Sequence, residues 1–177
     1  MLWLFAILVG LVFGLLTGGN IGNLSRLRFR WPWVILLAVV VREAVLLTPL
    51  NRVDGAQYVY VLALVGIVVW TIFHFDRLRG ISLVTAGAAL NLLVIVVNGA
   101  RMPVAPDLAP ALVRHGNVGQ YTVMGSQTQL NLLGDWISLR PSPEAYSPGD
   151  VLIALGLAVV LFLAVRNPKP YSDLTPP

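Results

Sequence analysis

Residues 91–107 read NLLVIVVNGARMPVAPD. The stretch begins as membrane-grade sequence and stops abruptly. Asn98-Gly99 ends the apolar run, and Met102-Pro103-Val104 opens a long segment that is neither a membrane span nor a charged loop. Asn91 and Asn98 are seven residues apart, so on a helix they share one face, with Gly87 above Asn91 on that face. At 1.5 Å per residue, Asn91 lies about 10 Å deeper than Asn98.

Working outward, the 177 residues are 57% hydrophobic and only 11% charged. A soluble domain carries about 25% charged residues, and a chain this short cannot bury so much apolar surface in its own core. Lipid is the expected solvent, and the net charge of +4 then speaks to membrane orientation rather than to nucleic acid. Without cysteine there are no disulfides, thiolate metal sites or cysteine nucleophiles. The two histidines, His74 and His115, lie far apart and lack HExxH-like spacing, so neither a metal nor a cofactor is expected.

Five segments, about 1–18, 31–48, 58–75, 81–99 and 149–166, approach the roughly 20 apolar residues that a bilayer crossing needs. Gly18-Gly19-Asn20, Thr48-Pro49, Gly80 and Ser147-Pro148-Gly149 punctuate them. The first segment lacks the positive start and small-residue cleavage site of a signal peptide, so it reads as a retained span. Arg26, Arg28, Arg30, Arg77, Arg79, Arg166 and Lys169 fall on one side of the membrane, against Asp76 and Asp173. The other side receives Arg52, Arg101, Arg114 and Arg140, against Asp54, Asp107, Asp135, Glu144 and Asp150. The positive-inside rule puts the first group in the cytoplasm. The expected fold is a single all-α membrane domain, residues 1–177, of five transmembrane helices. Its N-terminus lies outside and its C-terminus inside. Residues 99–148 form an extracytoplasmic cap between helices 4 and 5, and residues 167–177 a flexible cytoplasmic tail.

Gly10, Gly14 and Gly18 recur at spacing four and predict a groove for close helix packing, within this chain or against another membrane protein. Arg42-Glu43 sits within the second span at a depth similar to that of Asn91. Ionisable residues inside a span are costly unless paired or hydrated. An outer polar cluster of Arg42, Glu43, Asn91, Asn98, Arg101, His115 and Asp150 is therefore the candidate ligand site. The alternative is that Arg42 snorkels to the headgroups and Glu43 answers it. Arg42 and Glu43 point about 100° apart on a helix and are not expected to pair across one face. In the cap, Asp107 could start a short helix that Gly116 stops. Tyr121, Met124, Trp136 and Tyr146 could line an apolar cleft or anchor the cap to lipid.

The Asn98-Gly99-x-x-Met102-Pro103-Val104 junction, with Gly134-Asp135 and Gly149-Asp150 before the last span, resembles a family of bacterial multi-span membrane proteins known as a domain of unknown function. The resemblance implies a bacterial inner-membrane protein and no particular reaction. A more local likeness joins GDWISL and YSPGDVLIALG to the C-terminal part of lipoprotein signal peptidase. There Asp150 matches a catalytic aspartate, whereas the family's Asn-x-x-Asp-Arg motif is missing here. Two readings follow. One is a non-enzymatic protein binding a lipid-like ligand or other membrane subunits through its outer face. The other is an intramembrane aspartyl hydrolase using Asp135 and Asp150 as a proton-sharing pair. Against the second, Asp150 precedes an apolar run, where a carboxylate caps a helix.

Overall fold

The computed structural model describes residues 1–49, 53, 55–115, 117, 119–139 and 144–166, without the side chains of residues 46, 47, 111 and 115. Five long helices carry the fold: α1 (Leu2–Leu16), α2 (Pro32–Leu47), α3 (Ala56–Ile72), α4 (Ile81–Val97) and, after the cap, α6 (Pro148–Arg166). All five fall where the hydropathy places them, but four are shorter than expected. Among the described residues, α6 alone is both long and apolar enough to cross a membrane. Helices α1, α3 and α4 are apolar but have 15–17 residues, and α2, a continuous helix of 16 residues, carries the charged Arg42 and Glu43. The cause lies at the breakers. Thr17 ends α1, and Gly80, at φ +92°, adopts a left-handed turn that starts α4 two residues after a buried Leu78.

The helices form an open row rather than a closed ring. Helix α1 packs on α6, α6 on α4, α4 on α3, and α3 on α2, while α1 and α2 share no extensive interface among the described residues. Glycines set the closest approaches. A Cβ on Gly10 would strike the backbone of Ala158, and one on Gly14 would meet Val165. Gly87 lies against the Gly149 carbonyl and Ile153, and Gly156 against Val84. The glycine groove of α1 thus receives α6 of the same chain. Gly18 is not part of it. It has φ +92°, and a Cβ there would meet nothing within 4 Å, so it serves the turn that follows α1.

At the end of the helices away from the cap, His74 is fully buried. Its Nε2 accepts from the Arg30 N–H at 2.9 Å, and Nδ1 lies 2.8 Å from the Trp70 carbonyl. That pair of partners requires the neutral ring with its proton on Nδ1. The ring also stacks on Trp70, with centroids 3.8 Å apart, and Trp70 Nε1 donates to the Arg30 carbonyl at 2.9 Å. His74 is a structural clasp between the α1–α2 connection and the end of α3.

The cap is built from small pieces. Strands β1 (Met102–Val104) and β2 (Tyr121–Val123) pair in parallel, with Met102 opposite Tyr121 and Val104 opposite Val123. Between them lies the short helix α5 (Pro110–His115). Asp107 does not start that helix; it lies in a preceding 3-10 turn, Pro106–Leu108, and Gly116 lies outside the described residues. Strands β3 (Ile137–Ser138) and β4 (Ala145–Tyr146) are antiparallel. Asp135 is pinned between Pro103 and Ala105. Its N–H donates to the Pro103 carbonyl, and its carbonyl accepts from the Ala105 N–H, each at 2.9 Å. The expected tail, residues 167–177, lies outside the described residues, as do Arg52, Asp54, Arg140, Lys169 and Asp173.

Candidate functional site

The two asparagines of the opening stretch do different jobs. Asn98 ends α4 and clamps the cap. Its Nδ2 donates to the Gln129 carbonyl at 2.9 Å, and its Oδ1 accepts from the Gln129 N–H at 2.8 Å. Asn91 ties α4 to the start of α6. Its Nδ2 donates to Asp150 Oδ1 at 3.0 Å, and its Oδ1 accepts from the Ser147 hydroxyl at 2.8 Å. Ser147 and Asp150 are themselves reciprocal partners. The Asp150 N–H donates to Ser147 Oγ at 2.9 Å, and the Ser147 N–H donates to Asp150 Oδ2 at 3.1 Å. This is a capping box, so Ser147 is the residue that caps α6 and Asp150 answers it from the first turn. Both Asp150 oxygens are engaged, and its negative charge sits at the positive end of the helix.

Next to this network, a cavity of about 370 Å³ runs down between the helices. Its lower part is apolar, lined by Ile35, Val39, Leu64, Val84, Ala88 and Leu157 among others. A second cavity of about 330 Å³ lies above it, under the cap, and includes Glu144 and Tyr146. The two share a neck formed by Trp3, Arg42, Glu43, Tyr121, Asp135 and Asp150. The combination of an apolar chamber, a polar neck and a wetter vestibule is an amphipathic site.

Arg42 is held in the neck by several contacts. It pairs with Glu43, contrary to the expectation for adjacent helical residues, because its long side chain swings round to reach the carboxylate. Its guanidinium also lies over the Trp3 ring, 5.2 Å from the centroid, and 5.7 Å from that of Tyr60. Trp3 is thus a bridge from α1 to α2. Its own Nε1 is buried without a hydrogen-bond partner among the described residues.

Asp135 is the most unusual member. It is 7% exposed, and its Oδ1 is buried with no partner among the described residues. Burial first, then the negative charge of Asp150, push its carboxyl up to about 8. Burial likewise raises the nearby Tyr121 hydroxyl. In the vestibule, the Tyr146 hydroxyl donates to Glu144 at 2.6 Å and holds that carboxyl below the usual range.

Arg42, Glu43, Asn91 and Asp150 of the expected cluster therefore meet at one cavity. Asn98 stands apart as a cap clamp. Arg101 does not line either cavity, and its Nε is buried without a partner among the described residues. The His115 side chain lies outside the described residues. Tyr121 and Tyr146 face the cavities, whereas Trp136 is 49% exposed on the outside, near Leu130 and Leu132, which are also exposed. Trp3, Tyr60 and Ser147 belong to the site without having been singled out in the sequence. Ser147 carried a readable signal, the Ser-x-x-Asp spacing before an apolar run. No group of three or more His, Asp or Glu side chains able to hold a metal occurs among the described residues.

These features define a mostly helical protein with an amphipathic cavity beneath a small cap. Residues 26–162, well over half of the chain, match the family of unknown function DUF5317, and the chain belongs to that family. No curated protein and no solved structure matches it.

Proposed function

We propose that the protein is a multi-pass protein of the bacterial cytoplasmic membrane that binds a lipid-like amphiphile under its outer cap. In this reading the five long helices span the bilayer, with the N-terminus outside. The single observation that carries the binding role is the junction of an apolar chamber with a polar neck at Arg42, Glu43, Asp135 and Asp150. A chain fits the first part and a headgroup the second. The missing interface between α1 and α2 gives a chain a lateral route from the bilayer. Exposed apolar side chains on every long helix, such as Leu8, Leu36, Leu62, Leu93 and Leu155, support a lipid-facing surface. Helices of 15–17 residues suit a bilayer thinned locally around the protein.

Two experiments test this. The chain has no cysteine, so Ser25→Cys and Ser126→Cys report topology directly. An impermeant maleimide should label Ser126→Cys in intact cells and Ser25→Cys only after lysis; the reverse pattern overturns the orientation. Native mass spectrometry after mild extraction should show a bound amphiphile that is lost in Ala88→Phe, which fills the chamber.

A second reading, hydrolysis by an aspartate pair, is favoured by one observation: Asp135 and Asp150 line the same cavity and interact electrostatically. The engagement of both Asp150 oxygens in the capping box favours the binding role instead. Cleavage of a membrane-anchored peptide that is abolished by Asp150→Asn, with the melting temperature kept, would reverse that preference.

A further inference from the structure

We propose that the amphiphile bound in the cavity carries a cationic, hydrogen-bond-donating headgroup, an amine or guanidine, which pairs with Asp135 in the neck. The inference rests on the binding role above and specifies its ligand.

The first observation is the unsatisfied acceptor. Asp135 lines the neck shared by both cavities, and its Oδ1 is buried with no partner among the described residues. Its backbone is fixed by β1 on both sides, which holds the residue at the neck. A buried acceptor of this kind calls for a donor, and a charged donor makes the strongest bond to a carboxylate. The second observation is the sign of the surroundings. The charged and titratable groups around Asp135 are Arg42 and Glu43 from α2, Tyr60 from α3, Tyr121 from β2, and Asp150 from α6, with Tyr146, Glu144 and the Met1 ammonium, the last two paired at 2.9 Å, beyond them in the vestibule. Four carboxyl groups face two cations, and both cations are already taken up, Arg42 by Glu43 and the Trp3 and Tyr60 rings, and the Met1 ammonium by Glu144. An anionic headgroup would find carboxyl groups and no unpaired cation, whereas a cationic one supplies the counter-charge that no neighbouring group gives Asp135 when it ionises. The third observation is the chamber below, which holds a chain but offers no polar anchor, so the headgroup must stop at the neck.

The pairing has a proton signature. Without a ligand, burial keeps the Asp135 carboxyl protonated up to about pH 8. A cation binds the ionised form, so binding displaces that proton. Affinity should then rise as pH rises, by up to tenfold per unit below pH 8, and level off above it.

The test uses the full chain in phosphatidylcholine nanodiscs and three probes with the same twelve-carbon chain. Dodecylguanidinium is cationic throughout the pH range, dodecylglycerol is neutral, and dodecanesulfonate is anionic. Equilibrium binding is measured at pH 6, 7, 8 and 9. The expected result is saturable binding of dodecylguanidinium at least tenfold tighter than of dodecylglycerol, with affinity rising to pH 8. Asp135→Asn should remove both the preference and the pH dependence while leaving weak chain binding. Equal binding of the three probes, blocked by Ala88→Phe, would overturn the headgroup assignment and leave the cavity as a chain site. If no probe binds saturably, and neither Ala88→Phe nor Val39→Trp changes its partition, the binding role fails with it. Val39→Trp fills the chamber from α2 and covers the case in which Ala88→Phe does not fold.

Discussion

The two sides of the helix row are built to opposite specifications. On one side, α1, α6 and α4 meet backbone to backbone across Gly10, Gly14, Gly87 and Gly156. On the other, α2 shares no extensive interface with α1 among the described residues, and the cavity lies among α2, α3, α4 and α6, with Trp3 of α1 at its neck. The tight side has little polar chemistry beyond the Asn91–Ser147–Asp150 network at its cap end. The open side gathers Arg42, Glu43, Asp135 and two tyrosines around a void. Close packing and the polar-necked cavity are thus separated in space. A rigid seam fixes the position of α6, and the cap strands fix Asp135 over the cavity. Neither depends on what fills the chamber.

The sharpest way to break this contrast is to make one substitution on each side. Gly10→Ala puts a Cβ into the Ala158 backbone, which has no side-chain rotamer to yield. A loss of about 3 kcal/mol or more, or failure to fold, is expected. Gly66→Ala on α3 meets only the Ala38 methyl at ordinary contact distance. It should be neutral or gain roughly 0.5–1 kcal/mol from reduced backbone freedom. Thermal unfolding in detergent measures both, and equal losses would erase the distinction between the two sides.

The next effect concerns the open side. Asp135 ionises at about 8 in the folded chain and near 3.8 when unfolded. Its folded value is raised, so the unfolded state releases the proton first, and folding weakens as pH rises between those values. Between pH 5 and pH 7 this amounts to about 2–3 kcal/mol. Asp135→Asn should abolish that part of the pH dependence. A variant that melts with the same pH profile as the parent would show that the carboxyl is already ionised in the fold.

A smaller effect belongs to the seam's polar end. Asn91→Ala leaves the fully buried Ser147 hydroxyl without its acceptor and Asp150 without one of its donors. A cost of about 1–2 kcal/mol is expected. The same change at Asn98 should cost less, because its bonds to Gln129 are exposed to water. Reversal of that order would mean that the cap, rather than the capping box, holds the outer end together.

Much of the architecture was legible in the sequence, for physical reasons that can be named. Long apolar runs cut by glycine and proline located all five helices, and Met102-Pro103-Val104, which forms strand β1, located the start of the cap. The end of α3 was overestimated because aromatic residues, Phe73 and Phe75, continue past its last helical turn, whereas α1 stops at Thr17, just before Gly18-Gly19. Glycine spacing revealed the groove on α1, yet only packing shows that Gly18 lies outside it. The site was half legible. Arg42, Glu43, Asn91 and Asp150 announce themselves as polar groups in apolar surroundings. The partner of Asn91 lies 59 residues away, a distance that no local pattern spans. Trp3 and Tyr60 look like ordinary apolar helix residues, and their role over Arg42 emerges only when three helices meet. Asp135 reads as a loop acidic residue. Its burial comes from the backbone bonds to β1, which join residues some thirty positions apart in sequence.

The central claim is that the chamber accepts an acyl-type chain from the bilayer. A crystal structure grown in a lipidic phase doped with a chain-terminally brominated amphiphile tests it most directly. The account predicts an anomalous bromine peak inside the chamber, among Ile35, Ala88 and Leu157. Bromine confined to the outward faces of the helices, with α1 and α2 closed on one another, would contradict it.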